Sequence, residues 1–86
     1  MTTAKVLVYT IERCPYCVNA KNLLNLKKVA FTEIRVDDNP TERTKMEALS
    51  GRRTVPQIFI NDQSIGGFDD LKRLNDAGTL DKLLES

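Results

Sequence analysis

Lys5-Val6-Leu7-Val8-Tyr9-Thr10 is the segment that restricts the fold most. It is β-branched, aromatic and nearly all apolar, so it reads as a central strand buried on both faces, which calls for helices above and below a sheet. After Ile11-Glu12-Arg13 comes Cys14-Pro15-Tyr16-Cys17. From Pro15 to about Lys28, Ala20, Leu23 and Leu24 fall on one side while Asn19, Lys21, Asn22 and Asn25 fall elsewhere, the pattern of an amphipathic helix. Pro15 suits the first turn, where no N–H is needed. The cysteine pair therefore occupies a strand-to-helix junction.

Phe31-Thr32-Glu33-Ile34-Arg35-Val36 alternates strictly, predicting a second strand with one buried and one solvated face. Asp37-Asp38-Asn39-Pro40 ends it, with Asn39 as N-cap, Pro40 at the first helical position and Glu42 closing a capping box. This helix stops at Gly51, a residue suited to a left-handed C-cap. Gln57-Ile58-Phe59-Ile60 and Ser64-Ile65 flank Asn61-Asp62-Gln63, a connection short enough to require an antiparallel hairpin. Gly66-Gly67 breaks the pattern. A helix begins at Asp69-Asp70-Leu71-Lys72-Arg73-Leu74, is interrupted near Gly78, and resumes with Leu80, Leu83 and Leu84. The order β-α-β-α-β-β-α describes an α/β chain: a right-handed crossover unit plus a hairpin, forming a small mixed four-stranded sheet covered by helices. No linker, repeat or low-complexity segment divides the 86 residues, which suffice for one domain, 1–86, and not for two.

Composition removes whole classes of chemistry. Thirteen Lys+Arg against twelve Asp+Glu give a net charge of +1, so no field recruits nucleic acid or an anionic membrane surface. The longest apolar run near the N-terminus, Val6-Leu7-Val8-Tyr9, is far shorter than a signal-peptide core or a membrane span. The two cysteines stand close together, unlike the scattered sets of disulfide-stapled secreted domains, so a reducing cytoplasm is the expected compartment. Histidine is absent, which excludes Ser-His and Cys-His nucleophile pairs and every His-bearing zinc site.

At the start of its helix, Cys14 meets unpaired N–H groups and the positive end of the dipole, both favouring an anion, here a thiolate. A free thiol with a pKa of about 8.5 is brought to roughly 3.5–7.5 by a helix N-terminus with nearby cations. Arg13 and Lys21 are the cations in reach, and both read equally well as solvated surface residues. Cys17 lies on the same side of the first turn and closer to the interior, placed to resolve a mixed disulfide formed by the more exposed Cys14. A zinc site is a poor alternative, since the chain has two thiols, no histidine and no second Cys-x-x-Cys. A purely structural disulfide closing so small a loop would stabilise little.

Cys14-Pro15-Tyr16-Cys17, Thr54-Val55-Pro56 and Gly66-Gly67-x-Asp69-Asp70, in this order, resemble a dithiol glutaredoxin along essentially the whole chain. The resemblance implies a thioredoxin-like fold. It further implies a glutathione-dependent thiol–disulfide oxidoreductase, reducing glutathionylated and disulfide-bearing proteins, with no metal and as a monomer. Cys14 and Cys17 would be the catalytic pair and Pro56 cis, facing the dithiol. Val55 would offer its backbone to the cysteinyl part of glutathione, and Asp69 and Asp70, at a helix N-terminus, would lie near the γ-glutamyl end. Arg13, Tyr16, Thr54 and Gly67 complete the glutathione-contacting set that the resemblance implies. The plainer role of Asp69 and Asp70 is to cap the helix.

The resemblance departs in two places. Ile11 stands where many glutaredoxins have a lysine that contacts a glutathione carboxylate, leaving Arg13, Arg52 and Arg53 as possible replacements, and Phe68 stands where a third cysteine is sometimes found. Two other readings compete. A thioredoxin-type reductant would carry Gly-Pro between the cysteines behind a tryptophan, and this chain has Pro-Tyr and no tryptophan. An iron–sulfur carrier would use Cys14 with glutathione between two protomers, whereas proline after the first cysteine usually accompanies catalysis in that family.

Overall fold

Strand β1 (Val6–Thr10) lies inside a four-stranded sheet of order β2-β1-β3-β4, in a computed structural model that describes residues 4–85. The outermost residues of the expected 1–86 domain, 1–3 and 86, lie outside the described residues. β2 (Thr32–Arg35) runs parallel to β1, with Val8 opposite Glu33 and Thr10 opposite Arg35. β3 (Gln57–Ile60) runs antiparallel on its other side, with Val8 opposite Ile58, and β4 (Gln63–Gly66) completes the hairpin. The expected mixed sheet is the one observed.

Alternation along the strands sorts the core into two layers. Val6, Val8, Ile58 and Ile60 pack on Ala20 and Leu24 of α1 (Pro15–Leu26), Leu71 of α3 (Phe68–Asp76), and Leu80 and Leu84 of α4 (Thr79–Leu84). Tyr9 and Phe59 pack on Met46 of α2 (Pro40–Ser50) and on Val36, with the Tyr9 and Phe59 rings edge to face at 5.5 Å. Burial pushes the Tyr9 phenol above its ordinary pKa, and the Glu42 charge adds to the effect.

Several boundaries differ from the sequence reading, each for a local reason. Helix α1 stops at Leu26 rather than Lys28 because Lys28 turns left-handed (φ 58°) and a Schellman closure forms. In it Lys28 N–H donates to Asn25 C=O, and Val29 N–H reaches back to Leu24 C=O. β2 is shorter than the expected strand: within Thr32–Arg35 only Ile34 is drawn into the core, toward the α2 layer, while Thr32, Glu33 and Arg35 are exposed; Phe31, before the strand, packs toward the α1 layer and Val36, after it, toward the α2 layer. The capping box of α2 closes in one direction only. Asn39 Oδ1 accepts from Glu42 N–H at 3.2 Å, but Asn39 N–H donates to Val36 C=O. The hairpin turn is the two residues Asn61-Asp62, both at positive φ, so Gln63 already belongs to β4. α3 starts at Phe68, one residue early, with Gly67 as its N-cap.

Candidate functional site

The β1–α1 junction brings the cysteines to one end of the sheet. Cys14 is itself the N-cap of α1: its Sγ accepts from Cys17 N–H at 3.2 Å, satisfying one of the donors a helix leaves open at its start. Cys14 and Cys17 are joined as a disulfide with Cα atoms 5.2 Å apart. Cys14 is half-buried and Cys17 only 1% exposed, so a reagent from solvent reaches the first sulfur and not the second. Cys14 Sγ also lies 4.0 Å from the Val55 carbonyl oxygen. The Val55–Pro56 peptide bond is cis, as the resemblance implies.

Beside the disulfide opens a cleft of about 190 Å³, lined by Tyr16 from α1, Arg52, Thr54, Val55 and Pro56 from the segment before β3, and Gly67, Phe68, Asp69 and Asp70 from the start of α3. Three segments far apart in sequence thus meet at one groove because β1 and β3 are neighbours and β4 delivers α3 next to them. Gln57, fully buried, fixes the middle segment by donating from Nε2 to the Thr54 carbonyl at 2.9 Å.

Asp70 is the most heavily engaged polar group of the cleft. Its Oδ2 accepts from Gly67 N–H at 3.0 Å and from Arg52 Nη1 at 2.9 Å, and its Oδ1 lies 3.4 Å from Arg73 Nη1. The Arg52 hydrogen bond foremost, then the Gly67 N–H, hold its carboxyl below the usual range. Gly66 is required there: at φ +112° it adopts a conformation side chains rarely take, and a Cβ on it would collide with the Asp70 carboxylate. Asp69 is exposed on the same rim.

Of the residues singled out from sequence, Tyr16, Thr54, Val55, Pro56, Gly67, Asp69 and Asp70 line the cleft beside the dithiol. Arg13 does not: it is exposed, in a left-handed turn at φ 60°, outside the lining. Among the three arginines that could stand in for the lysine absent at Ile11, only Arg52 lies in the cleft, while Arg53 faces Glu47 at 3.6 Å. Phe68 was not assigned to the site by sequence, yet it lines the cleft with its ring 6.4 Å from that of the exposed Tyr16. Its only signal was its place between Gly67 and Asp69. Lys21 is engaged by Glu33 at 2.9 Å and is no free cation for the thiol.

Among the described residues no group of three His, Cys, Asp or Glu is placed to hold a metal, and no helix is long and apolar enough to cross a membrane. A thioredoxin-like sheet carrying a half-exposed Cys-x-x-Cys at a helix N-terminus, opposite a cis proline, defines a thiol–disulfide oxidoreductase. The glutaredoxin family model matches residues 6–65. The chain is 54% identical over 82 residues to glutaredoxin 3 of Escherichia coli K12, covering 95% of this chain and 99% of that one. Among solved structures, glutaredoxin from Brucella melitensis superposes with a TM-score of 0.83 at 48% identity, covering 94% of this chain and 88% of that one. A buckwheat glutaredoxin–glutathione complex gives 0.86 at 26% identity, covering 96% and 78%. The chain belongs to the glutaredoxin family.

Proposed function

We propose that this glutaredoxin draws its electrons from glutathione and reduces both glutathione mixed disulfides and protein disulfides. The observation that carries the reading is the cleft: it runs from Val55, whose carbonyl oxygen lies 4.0 Å from the half-exposed Cys14 Sγ, to the N-terminus of α3, so a short peptide bound through its sulfur can lie along it. In the bound state the Val55 backbone pairs with the cysteinyl residue of glutathione. The N–H groups opening α3 and the Arg52 guanidinium then receive carboxylate charge. The buckwheat relative's structure as a glutathione complex supports the same assignment.

With a glutathionylated substrate, the Cys14 thiolate attacks the glutathione sulfur. The Cys14–glutathione bond forms, the substrate–glutathione bond breaks, and the substrate leaves as a thiolate that takes a proton from solvent. A second glutathione thiolate attacks the glutathione sulfur of the mixed disulfide, releasing oxidised glutathione and restoring Cys14. With a protein disulfide, the substrate becomes tethered to Cys14 and Cys17 attacks that bond intramolecularly, at an effective concentration free thiols do not match. The resulting Cys14–Cys17 disulfide is the state observed, and two glutathiones reduce it. The protein acts as a monomer in the cytoplasm on this reading. NADPH oxidation coupled through glutathione reductase, with a glutathionylated substrate, tests it. Turnover that needs glutathione is expected, and turnover sustained instead by a thioredoxin-reducing flavoprotein alone would overturn it.

A further inference from the structure

Helix α1 carries a second polar feature, outside the cleft. Lys21 Nζ donates to Glu33 Oε2 at 2.9 Å, and Thr10 Oγ1 donates to the same oxygen at 2.7 Å. Thr10 is fully buried at the end of β1, Glu33 stands on edge strand β2, and Lys21 follows Cys17 by one helical turn. The two charged side chains are only 29% and 33% exposed. Glu33 pairs in register with Val8, whose side chain packs on α1, so the carboxylate belongs to the face that carries the nucleophile helix. Its pKa is held below the usual range, by the Thr10 hydrogen bond first and the Lys21 hydrogen bond next. Glu33 is therefore charged wherever a thiol titrates.

Lys21 lies two turns beyond Cys14, roughly 10 Å along the helix axis, about one Debye length at an ionic strength of about 0.1 M. An uncompensated ammonium there favours the thiolate, and a carboxylate bonded to it cancels the effect. We infer that Thr10, Glu33 and Lys21 form a charge-balancing device that sets the acidity of the Cys14 thiol, Lys21 and Glu33 acting in opposite senses and Thr10 holding Glu33 on Lys21. The inference rests on Cys14 being the nucleophile. The other charged groups around that thiol are Arg13, which precedes it, and Arg52, Asp69 and Asp70 at the cleft; Glu33 faces Arg35 as well as Lys21. None of these changes in the variants below.

The test uses reduced protein carrying Cys17→Ser, so that one thiol titrates, with thiolate absorbance followed against pH. Lys21→Met should lower the thiolate-to-thiol ratio and Glu33→Gln should raise it, each by about two- to fourfold. Thr10→Val should move it the same way as Glu33→Gln and less, and the Lys21→Met/Glu33→Gln double variant should return close to the parent. Circular dichroism confirms that each variant is folded. A merely structural clamp predicts shifts of one sign in both single variants, and that result, or no shift in either, overturns the inference. A parental midpoint near the free-thiol value of about 8.5 with opposite shifts would instead remove the nucleophile reading and leave the charge balance standing.

Discussion

Gly66→Ala probes how the hairpin, the start of α3 and the cleft depend on one another. Gly66 is buried at φ +112°, where an alanine carries strain of about 1–3 kcal/mol. The added methyl would also stand 2.8 Å from Asp70 Cγ, so the carboxylate must swing away. Displacement breaks the charge-assisted bonds to Gly67 N–H and Arg52. Such bonds are worth about 1.5–3 kcal/mol each when buried, and since the Asp70 side chain is 24% exposed, water replaces part of them and about 1–2 kcal/mol in total is a fair figure. The single variant should thus lose about 2–5 kcal/mol, a large share of the roughly 4–13 kcal/mol expected for a chain of this length. Urea unfolding followed by far-ultraviolet circular dichroism measures it. In an Asp70→Ala background the carboxylate is gone, so Gly66→Ala should cost only its backbone strain and residual crowding against the methyl that remains at position 70. The two substitutions should therefore couple by about 1–2 kcal/mol. Additivity within about 0.5 kcal/mol would refute the claim that the Asp70 carboxylate is what makes glycine necessary at this position.

Three other outcomes are expected. Cys17→Ser should keep most deglutathionylation while losing much protein-disulfide reduction, and Cys14→Ser should lose both; retained deglutathionylation in Cys14→Ser would reverse the assignment of the two thiols. The carboxyls of Asp70 and Glu33 are held below their ordinary values and that of Asp37 at about 2. The stability they contribute is therefore complete above about pH 5 and is lost as pH falls through the folded-state values, so urea midpoints should be level with respect to these groups from about pH 5 to 7 and decline below about pH 4, less steeply in Asp70→Asn. Lys28→Gly should raise stability by about 0.5–1 kcal/mol by relieving a left-handed lysine, and a loss on urea unfolding would count against the Schellman closure at the end of α1.

Where local chemistry and tertiary demand agree, the chain was readable from sequence. Asn39-Pro40 and Gly51 bound α2 as their residue types predict, and the apolar β1 sits inside the sheet. Readings failed where a residue works against its type. Lys28 occupies a position normally taken by glycine or asparagine, so nothing in the composition marked the end of α1. The segment Phe31–Val36 read as one strand, but only Thr32–Arg35 pairs, and its flanks serve different layers, Phe31 the α1 side and Val36 the α2 side, which alternation alone does not reveal. The cleft was legible through three motifs, because each is a short segment with distinctive backbone chemistry. Arg52 and Phe68 were harder to place, since choosing Arg52 over Arg53 depends on which side chain points to Asp70. Arg13 was favoured by adjacency to Cys14, and adjacency is a poor guide at a strand-to-helix turn, where successive side chains diverge.

The unequal burial of the two sulfurs follows from the helix start itself. An N-cap residue sits outside the helical cylinder, whereas the residue three positions on is turned toward the sheet, so Cys14 is half-exposed and Cys17 is covered. An incoming thiolate can therefore approach the oxidised pair only at the Cys14 sulfur, expelling Cys17 as the leaving group. That attack places the new mixed disulfide on Cys14, at the mouth of the cleft lined by Val55 and the start of α3. On the proposed function, the same cleft would receive glutathione whether the mixed disulfide arises from a glutathionylated substrate or from reduction of the Cys14–Cys17 bond. On that reading one groove serves both half-reactions, because only the Cys14 sulfur, 4.0 Å from the cleft-lining Val55 carbonyl, is within reach of solvent.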